Sequence, residues 1–485
     1  MLTTRADEPV SDSSSQHVLL LDSFGRTLHV STNDIPKTLL PSDATALKRQ
    51  LPTPIRGIPV GRHVLHRAQT ARDSEVHFFS PVPPPLMPYL AAQDELGNTA
   101  VQTGGLLTLM PAEPFLQDTK FWLSERGFRY SLNQTVNFVT MTDVSQGDDA
   151  LGFYTFDLQA KWAIFDAPHA ETAGWISAHI EAKTGLGDNG RTQDAQLNLN
   201  SLTDPTGTWS SRNGFRIPEL AWQQSFSDGK FVVVAGMVDQ GNYLDGNAYA
   251  NSGRGQFMNA ALIDSMVVPL TDSNFGLNLQ WQPSEEWYAI LAGSAGNGRA
   301  GVPPWNDFNW NNWNAVLEVG YLQKNFLGFG PGVYRIQPFV GQANGSPVKT
   351  GIGLNFQQQL GADSPFGWFG RFGTGGREHF YGGTQPISVG SQIGTGFVML
   401  APLQHLGLFP RLSNDVVGLG FVWSHISEST QPVFHEDEYV LETFYTLQLS
   451  PLARLQPDIQ ILWNPAYSPD AGPTAIFQLQ FILSW

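Results

Sequence analysis

The chain closes, at residues 474–485, with the stretch TAIFQLQFILSW, which alternates apolar and polar side chains almost to its end. Successive side chains on a strand point to opposite sides, so this stretch has one apolar face and one polar face. The apolar face carries Phe477, Leu479, Phe481, Leu483 and Trp485. Only Ile482 breaks the pattern. Such a strand suits a soluble core or a membrane barrel, and the rest of the chain decides between them.

The composition favours lipid as part of the surroundings. Charged residues make up 14% of the 485 positions, against about 25% in soluble domains. The longest apolar run, 231–238, lies between Lys230 and Asp239 and falls far short of the roughly 20 residues of a membrane helix. The other structure that satisfies every backbone group in a bilayer is a closed β-barrel.

Charge and residue content exclude several functions. A net charge of −16 argues against nucleic acid as a partner, because phosphate binding needs a basic surface. The absence of Cys excludes disulfides, thiolate nucleophiles and Cys-ligated zinc. The histidines show no pair at metal-ligand spacing on one face, and GTGGREHFYGG (373–383) lacks the strand-to-helix context of a phosphate loop. We therefore expect no cofactor and no metal.

Alternating stretches recur from Phe128 to the end of the chain. In the first, Arg129, Ser131 and Asn133 oppose Tyr130 and Leu132. The pattern predicts about sixteen strands of the length that a tilted barrel strand needs. They are 128–138, 154–164, 176–183, 216–226, 230–238, 275–282, 286–295, 313–321, 333–341, 350–360, 366–373, 387–399, 415–424, 438–449, 455–463 and 475–485.

The connections between these strands alternate in length. Short ones occupy 227–229, 283–286, 361–365 and 450–454, and long ones occupy 185–215, 239–274, 296–312 and 425–437. Only 322–332 and 400–414 are long for the short series. The alternation is typical of a transmembrane antiparallel up-and-down β-barrel with short periplasmic turns and long extracellular loops. The fold class is therefore all-β, with apolar rows facing lipid and polar rows facing a water-filled lumen.

Residues 1–114 differ from the rest and form a predicted N-terminal extension, partly disordered, before the barrel at 115–485. The extension is rich in Ser, Thr and Pro, and SPVPPPLMP (80–88) near its end is typical of a linker. A hairpin is predicted in 17–31. Residues 1–30 lack a basic start followed by an apolar core of 7–15 residues, so we expect a signal segment outside this numbering. We expect the extension in the periplasm.

Three stretches resemble one known family. They are GMVDQGNYLDGNAYANSGRGQFMNAAL (236–262), FGWFGRFG (366–373) and the segment from 436 to the end, where Glu442, Tyr445, Asp458 and Gln460 stand at the family's spacing. Over residues 115–485 the chain resembles the OprB-type carbohydrate-selective porins of Gram-negative outer membranes. The resemblance implies a sixteen-stranded barrel that passes sugars, often glucose, by diffusion.

The resemblance also implies location and partners. We expect the outer membrane with its lipid, small sugars as solutes, and either a monomer or a homotrimer. The C-terminal strand that ends at Trp485 resembles the signal read by the barrel assembly machinery. An enzyme would need a nucleophile held beside a base, which no motif supplies. The alternative is a structural or adhesive barrel whose N-terminal extension binds the cell wall or a partner.

Polar-face residues are the candidates for contact with solute. Sugar hydroxyls need fixed planar hydrogen-bond partners, which Arg, Asp, Glu and Asn provide. The candidates are Arg371, Glu442, Arg335, Asp458 and Glu219, and further Asp157, Lys161, His179 and Glu181. Each of them has an alternative role as a structural partner of another lumen charge. An acidic lumen predicts modest cation preference.

An aromatic loop is the other candidate. PPWNDFNWNNW (303–313) contains Trp305 and Trp310, which could stack on sugar rings at the mouth of the pore. Aromatic side chains near strand ends also form the interface girdle of barrels, and this alternative stays open.

Overall fold

The computed structural model describes most of the chain from residue 126 onward and short stretches before it. The described residues are 2–3, 17–21, 27–31, 119, 122–123, 126–166, 173–186, 194–207, 214–227, 230–295, 303–342, 348–361, 364–375, 389–409, 412, 414–426, 437–450, 452–468 and 471–484. Trp485 and the greater part of 1–114 lie outside them.

Nineteen strands occur in the described residues. Near the N-terminus are β1 (Leu2–Thr3), β2 (His17–Leu21) and β3 (Thr27–Ser31). The others are β4 (Phe128–Met141), β5 (Ala150–Asp166), β6 (Ala173–Gly185), β7 (Gly214–Phe226), β8 (Phe231–Val238), β9 (Asn274–Trp281), β10 (Trp287–Ala295), β11 (Trp313–Gln323), β12 (Gly332–Gln342), β13 (Lys349–Gln359), β14 (Phe366–Gly375), β15 (Val389–Leu400), β16 (Val416–Ile426), β17 (Glu438–Ser450), β18 (Ala453–Trp463) and β19 (Thr474–Ser484).

The strands β4 to β19 form one closed antiparallel barrel in chain order. The barrel closes where β19 pairs with β4, in a register that runs from Ile476 opposite Met141 to Ser484 opposite Asn133. The predicted sixteen-stranded barrel is therefore confirmed. The predicted hairpin in 17–31 is also confirmed, because β2 pairs with β3 from His17 opposite Ser31 to Leu21 opposite Thr27.

The side chains of the barrel wall face the directions that the alternation predicts, with apolar ones on the outer face and polar ones on the inner face. On β19, Leu479 is 45% exposed whereas Gln480 is 1% exposed. Apolar side chains are exposed on the outer face all around the barrel, among them Phe138, Trp162, Leu220, Leu277, Leu291, Leu317, Leu354, Phe397, Leu419 and Ile459. Since the outer face is apolar and every strand edge is paired, the wall satisfies both requirements of a bilayer.

An aromatic belt crosses the outer face near the short-turn end. Tyr334 on β12 stacks on Phe356 of β13, which contacts Trp368 of β14 at 4.7 Å between ring centroids. Trp368 in turn stacks on Phe397 of β15. Aromatic side chains at this level are typical of the boundary between lipid chains and water.

The connections alternate between the two ends of the barrel as predicted. The short-turn end carries 227–230, 282–286, 360–365 and 451–452, together with both chain ends of the barrel. The long-loop end carries the β6–β7 loop (186–213) and the β8–β9 loop (239–273). The turns 324–331 and 401–415 are the longest at the short-turn end.

Short helices lie in the connections. They are α1 (Asp194–Leu199), α2 (Ala260–Ile263), α3 (Pro304–Asp307) and α4 (Pro402–His405), with a 3₁₀ turn at Gln240–Asn242. Within the described part of the chain, none of the helices has the length and apolar content to cross a membrane.

The β8–β9 loop folds into the barrel and packs on the wall formed by β14 to β17. Phe257 of the loop contacts Phe444 on β17 edge to face at 4.8 Å, and Phe369 on β14 at 5.2 Å. Glycines make room for the loop, because a Cβ on Gly420 would lie 2.7 Å from Phe257. This part of the lumen is therefore an apolar core and not a row of hydrated polar groups.

Candidate functional site

Arg371 of β14 binds the β8–β9 loop. Its Nε donates to Asp245 Oδ2 at 2.7 Å, and its terminal nitrogens donate to the carbonyl oxygens of Leu262 and Asp245 at 2.6 and 2.9 Å. Both charged side chains are 1% exposed. Asp245 also accepts from Asn355 and from the backbone of Ser265. The structure thus places Arg371 on the inward face, where its side chain is hydrogen-bonded to the loop.

Glu442 of β17 binds the next part of the same loop. Its carboxylate accepts the backbone N–H groups of Met258 and Asn259. Asp458, on the adjacent strand β18, accepts from Gln460 at 3.1 Å and from Gln478 at 3.4 Å. Both acids are inward-facing and buried, so their described contacts are with protein groups.

Arg335 of β12 lies in a third buried network. Its Nε donates to the Tyr288 hydroxyl at 2.9 Å, and that hydroxyl donates to Glu318 at 2.7 Å. Glu318 also accepts the backbone N–H of Asp245. The buried Arg335 and Glu318 therefore hold the start of the loop together with Arg371.

Glu219 of β7 binds the 3₁₀ turn at the beginning of the loop. It accepts from the Tyr243 hydroxyl at 2.9 Å and from Asn242 at 3.3 Å. The five polar residues named first among the sequence candidates are therefore all inward-facing. The structure does not bring them together at one point. Three of them bond to the loop at separate places, Arg335 acts on it through Glu318, and Asp458 lies beside Glu442.

The β6–β7 loop is held in a similar way by Glu438, at the long-loop end of β17. Glu438 accepts the backbone N–H groups of Leu202, Thr203 and Ala466 and the Thr203 hydroxyl. The two inward loops meet where Gly207, at φ +56°, lies against the Met258 carbonyl oxygen. No residue pattern in the sequence indicates that these loops enter the lumen.

A second group of charged side chains lies on the opposite side of the lumen, on β5 to β7 and the loop ends. We call it the mixed-charge cluster, and it consists of Asp157, His179, Glu181, Arg216, Asp239, Arg254 and Asp272. Arg216 pairs with both Glu181 and Asp272. Arg254 reaches across the lumen from the loop to within 3.3 Å of Asp157.

The register of the strands builds the cluster. On β6, His179 and Glu181 share the inward face, and Glu181 stands opposite Asp157 of β5. His179 Nε2 lies 2.8 Å from Asp157 Oδ2, and its Nδ1 lies 3.8 Å from Asp239 Oδ2. Burial raises the pKa of Asp239 to about 6, against the lowering effect of the nearby His179 ring.

Exposure separates five members of the cluster from the loop anchors, whereas Asp157 and His179 are buried. The side chains of Arg371, Asp245 and Arg335 are 1% exposed. In the cluster, Arg254 is 21% exposed and Asp272 is 30% exposed. Glu181, Arg216 and Asp239 are also partly exposed. A solute in the lumen can therefore reach these guanidinium and carboxylate groups, which are suited to hydroxyl recognition.

The two tryptophans selected in the sequence lie outside this group. Trp305 and Trp310 are 69% and 72% exposed. Trp310 contacts Phe308 edge to face at 4.8 Å, and Phe308 contacts Phe275 at 5.9 Å. Since Phe275 lies on the apolar outer face of β9, these contacts favour the membrane-interface alternative.

Some cluster members could be found from the sequence and others could not. Asp157, His179 and Glu181 were recognisable as inward-facing polar residues of alternating strands. Arg254 and Asp272 lie in the β8–β9 loop, and nothing in a long polar loop indicates that it enters a barrel. Their proximity to β5 and β7 required the structure.

A closed antiparallel barrel with an apolar outer face, polar inward rows and an inward-folded loop defines the class of outer-membrane porins. The chain belongs to the OprB family of carbohydrate-selective porins, whose family model matches residues 164–349 and 320–483. Porins are transport channels of the outer membrane, and this chain is one of them.

Individual relatives agree with this assignment. Porin AaxA of Chlamydia felis is 24% identical over 340 residues, which cover 65% of this chain and 67% of that protein. Porin AaxA of Chlamydia abortus is 23% identical over 337 residues, with the same coverage. The high-pH structure of Pseudomonas putida OprB superposes with a TM-score of 0.61 at 14% identity, covering 79% of this chain and 99% of that one. The last likeness concerns the fold.

Proposed function

We propose that this porin passes small neutral sugars, of the size of glucose, by passive diffusion past the mixed-charge cluster. The carrying observation is that Arg216, Arg254 and Asp272 of this cluster keep partial exposure, whereas the charged side chains that anchor the loop do not. Sugar hydroxyls that lose water at a narrow point need such fixed donors and acceptors. The family of carbohydrate-selective porins supports the same class of solute.

The position of the loop supports a narrow point at this level. The β8–β9 loop covers the β11–β18 side of the lumen, and Arg254 extends from it to Asp157 on β5. A solute is therefore directed along β5, β6 and β7. Weak binding there suits transport, because the solute must also leave.

Single-channel recording in planar bilayers tests the proposal. Glucose added to one side should lower the ionic current through the wild-type channel in a saturable way. Arg216→Ala should weaken this blockade about tenfold, since hydrogen bonds to charged groups contribute about 1.5–3 kcal/mol. The control is Lys324→Ala, which removes an exposed cation at the short-turn end and should leave the blockade unchanged.

Two outcomes would contradict the proposal. One is an ionic current that glucose does not lower at any concentration up to the solubility of the sugar. The other is equal blockade of the wild-type channel and Arg216→Ala, which would place sugar contact elsewhere in the lumen.

A further inference from the structure

Three potential metal ligands converge on the lumen face of β5 and β6. His179 Nε2 lies 2.8 Å from Asp157 Oδ2 and 3.6 Å from Glu181 Oε1. One ligand atom from each residue lies within 4.8 Å of the others. Ligands bonded at about 2.0–2.2 Å to one ion stand about 3–3.5 Å apart, so small side-chain adjustments would bring these atoms into one coordination sphere.

Two atoms of the group are buried and lack a hydrogen bond. They are Asp157 Oδ1 and His179 Nδ1, neither of which has a hydrogen-bond partner within the described structure. Asp157 is 1% exposed and His179 is 6% exposed. A buried acceptor without a partner costs about 1–3 kcal/mol. A cation bound by the Asp157 carboxylate would remove that cost.

Asp239 is placed as the outer partner of the histidine. Its Oδ1 accepts the backbone N–H of Gly241 at 3.0 Å, which fixes the carboxylate. Its Oδ2 then faces His179 Nδ1 at 3.8 Å. Metal-bound histidines characteristically donate their second ring N–H to a carboxylate, which sets the tautomer and orients the ring. Nε2 is thereby left to point at the other two ligands.

The charges of the cluster leave an excess of acid. Asp157, Glu181, Asp239 and Asp272 are four carboxylates, and they face the two guanidinium groups of Arg216 and Arg254. With a neutral imidazole, as metal binding requires, a divalent cation balances the remaining charge. Lys183, the next inward residue of β6, interacts with Asp204 and with Glu181. Because Asp204 is a further acid, Lys183 and Asp204 together add no net charge.

The arginines leave ligand atoms available. Arg216 bonds to Oε2 of Glu181, whereas Oε1 is the atom that faces His179. Arg254 approaches Asp157 from the loop at 3.3 Å, so a cation at Asp157 would compete with it. Metal binding is therefore expected to loosen the contact between the loop and β5.

From this geometry we propose that Asp157, His179 and Glu181 form a lumen site for a divalent transition-metal cation of the Zn²⁺ class, with Asp239 as a positioning residue. One nitrogen and two carboxylate ligands suit Zn²⁺. The sequence predicted no metal site because no two histidines stand at metal-ligand spacing on one face. This group uses one histidine, an acid of the same strand and an acid of the neighbouring strand. The proposal does not depend on which solute the porin passes.

Calorimetric titration of the full-length, chelator-treated protein in detergent with ZnCl₂ tests the site. The wild-type protein should bind one ion more tightly than His179→Ala by at least about tenfold. Asp239→Asn should weaken binding by about 10–100-fold without abolishing it. The control is His425→Ala, because His425 also pairs with one aspartate, at 2.7 Å, but lies outside the group.

The result that overturns the proposal is equal Zn²⁺ affinity of the wild-type protein and His179→Ala, or a loss of binding in His425→Ala of the same size. Whether each variant is folded is shown by its heat modifiability, the difference in gel mobility between heated and unheated samples. Glu181→Gln is the second variant if His179→Ala does not fold, and it should also weaken binding at least about tenfold.

Co²⁺ absorption supplies an independent readout, since the visible bands of bound Co²⁺ should disappear in the ligand variants. Failure of glucose blockade with Zn²⁺ binding retained would count only against sugar passage.

Discussion

The two sides of the lumen carry similar inward-facing charges and use them differently. On the β11–β18 side, Arg371 and Glu442 are buried and bound to the β8–β9 loop. The buried Arg335 acts on the loop through Tyr288 and Glu318. On the β5–β7 side, Glu181 and Arg216 pair with each other and keep partial exposure. An alternating strand therefore predicts which residues face inward, and the path of the loop decides which of them meet solute.

The difference has a physical origin in what lies opposite each wall. The wall formed by β14 to β17 presents Phe369 and Phe444 together with glycines, and apolar loop side chains pack on it. Buried charges beside that core are retained only where the loop supplies partners. On the β5–β7 wall the inward neighbours of the cluster are polar, among them Gln159 and Ser177, and Glu181, Arg216 and Asp272 remain partly exposed.

The largest effect is expected from breaking the loop anchor. Arg371→Met leaves Asp245 as a buried carboxylate without its cation, which typically costs about 3–5 kcal/mol. We expect lower stability in urea unfolding and faster cleavage of the β8–β9 loop by protease. The double variant Arg371→Met with Asp245→Asn should recover part of the loss. A single variant with unchanged stability would show that the β11–β18 side is not held by this pair.

The contact between the two inward loops gives the next largest effect. In Gly207→Ala, the new Cβ would lie 2.3 Å from the Met258 carbonyl oxygen, and the residue has a φ of +56°. Gly407→Ala is the matched control, because its φ of +71° is similar and nothing lies within 4 Å. The control should cost about 1–2 kcal/mol for the backbone conformation alone. Thermal unfolding should show a larger loss for Gly207→Ala, and equal losses would mean that the loops do not support each other.

A smaller effect is expected from one charge on the β5–β7 side. Asp272→Asn removes a partly exposed lumen carboxylate and should lower cation preference about twofold, because a hydrated charge acts on a nearby ion with about 1 kcal/mol or less. Reversal potentials in a salt gradient measure the change. Glu285→Gln is the control, since Glu285 is exposed at the short-turn end and pairs with Lys324. A change of the same size in both variants would contradict a role of the cluster in selectivity.

The smallest effect is expected from the aromatic loop. Trp310→Ala should leave single-channel conductance and glucose blockade unchanged, because its contact with Phe308 connects it to the outer face of β9. Recordings identical to those used for Arg216→Ala provide the measurement. Weaker glucose blockade in Trp310→Ala would instead favour a stacking role at the mouth.

The barrel could be predicted from the sequence because its signal is local. Alternation places Gln478 and Gln480 on one face and Leu479 on the other, and the low charge content of the chain turns the apolar face to lipid. Connection lengths then order the strands into one up-and-down sheet, and the structure confirms this arrangement. The inward position of Arg371 and Glu442 followed from the same rule.

The candidate site could be predicted only in part because it depends on contacts between distant segments. Asp157, His179 and Glu181 were recognisable as inward-facing, but Arg254 reaches them from a loop that carries no periodic pattern. The apolar wall under Phe257 was also missed, because Phe369 and Phe444 lie on inward faces where polar residues were expected. No short-range pattern indicates that a loop between two strands will fold into the barrel and form an apolar core with its wall.

The inward loop also constrains the timing of biogenesis. The backbone of Gly255 donates to Gln456, and that of Met258 to Glu442, across sequence separations of 201 and 184 residues. Contacts so distant form late, because the chain entropy lost in joining them is recovered only when the intervening strands are in place. We therefore expect the loop to reach its final position inside the barrel, and the channel its final width, only once β17 and β18 have joined the sheet.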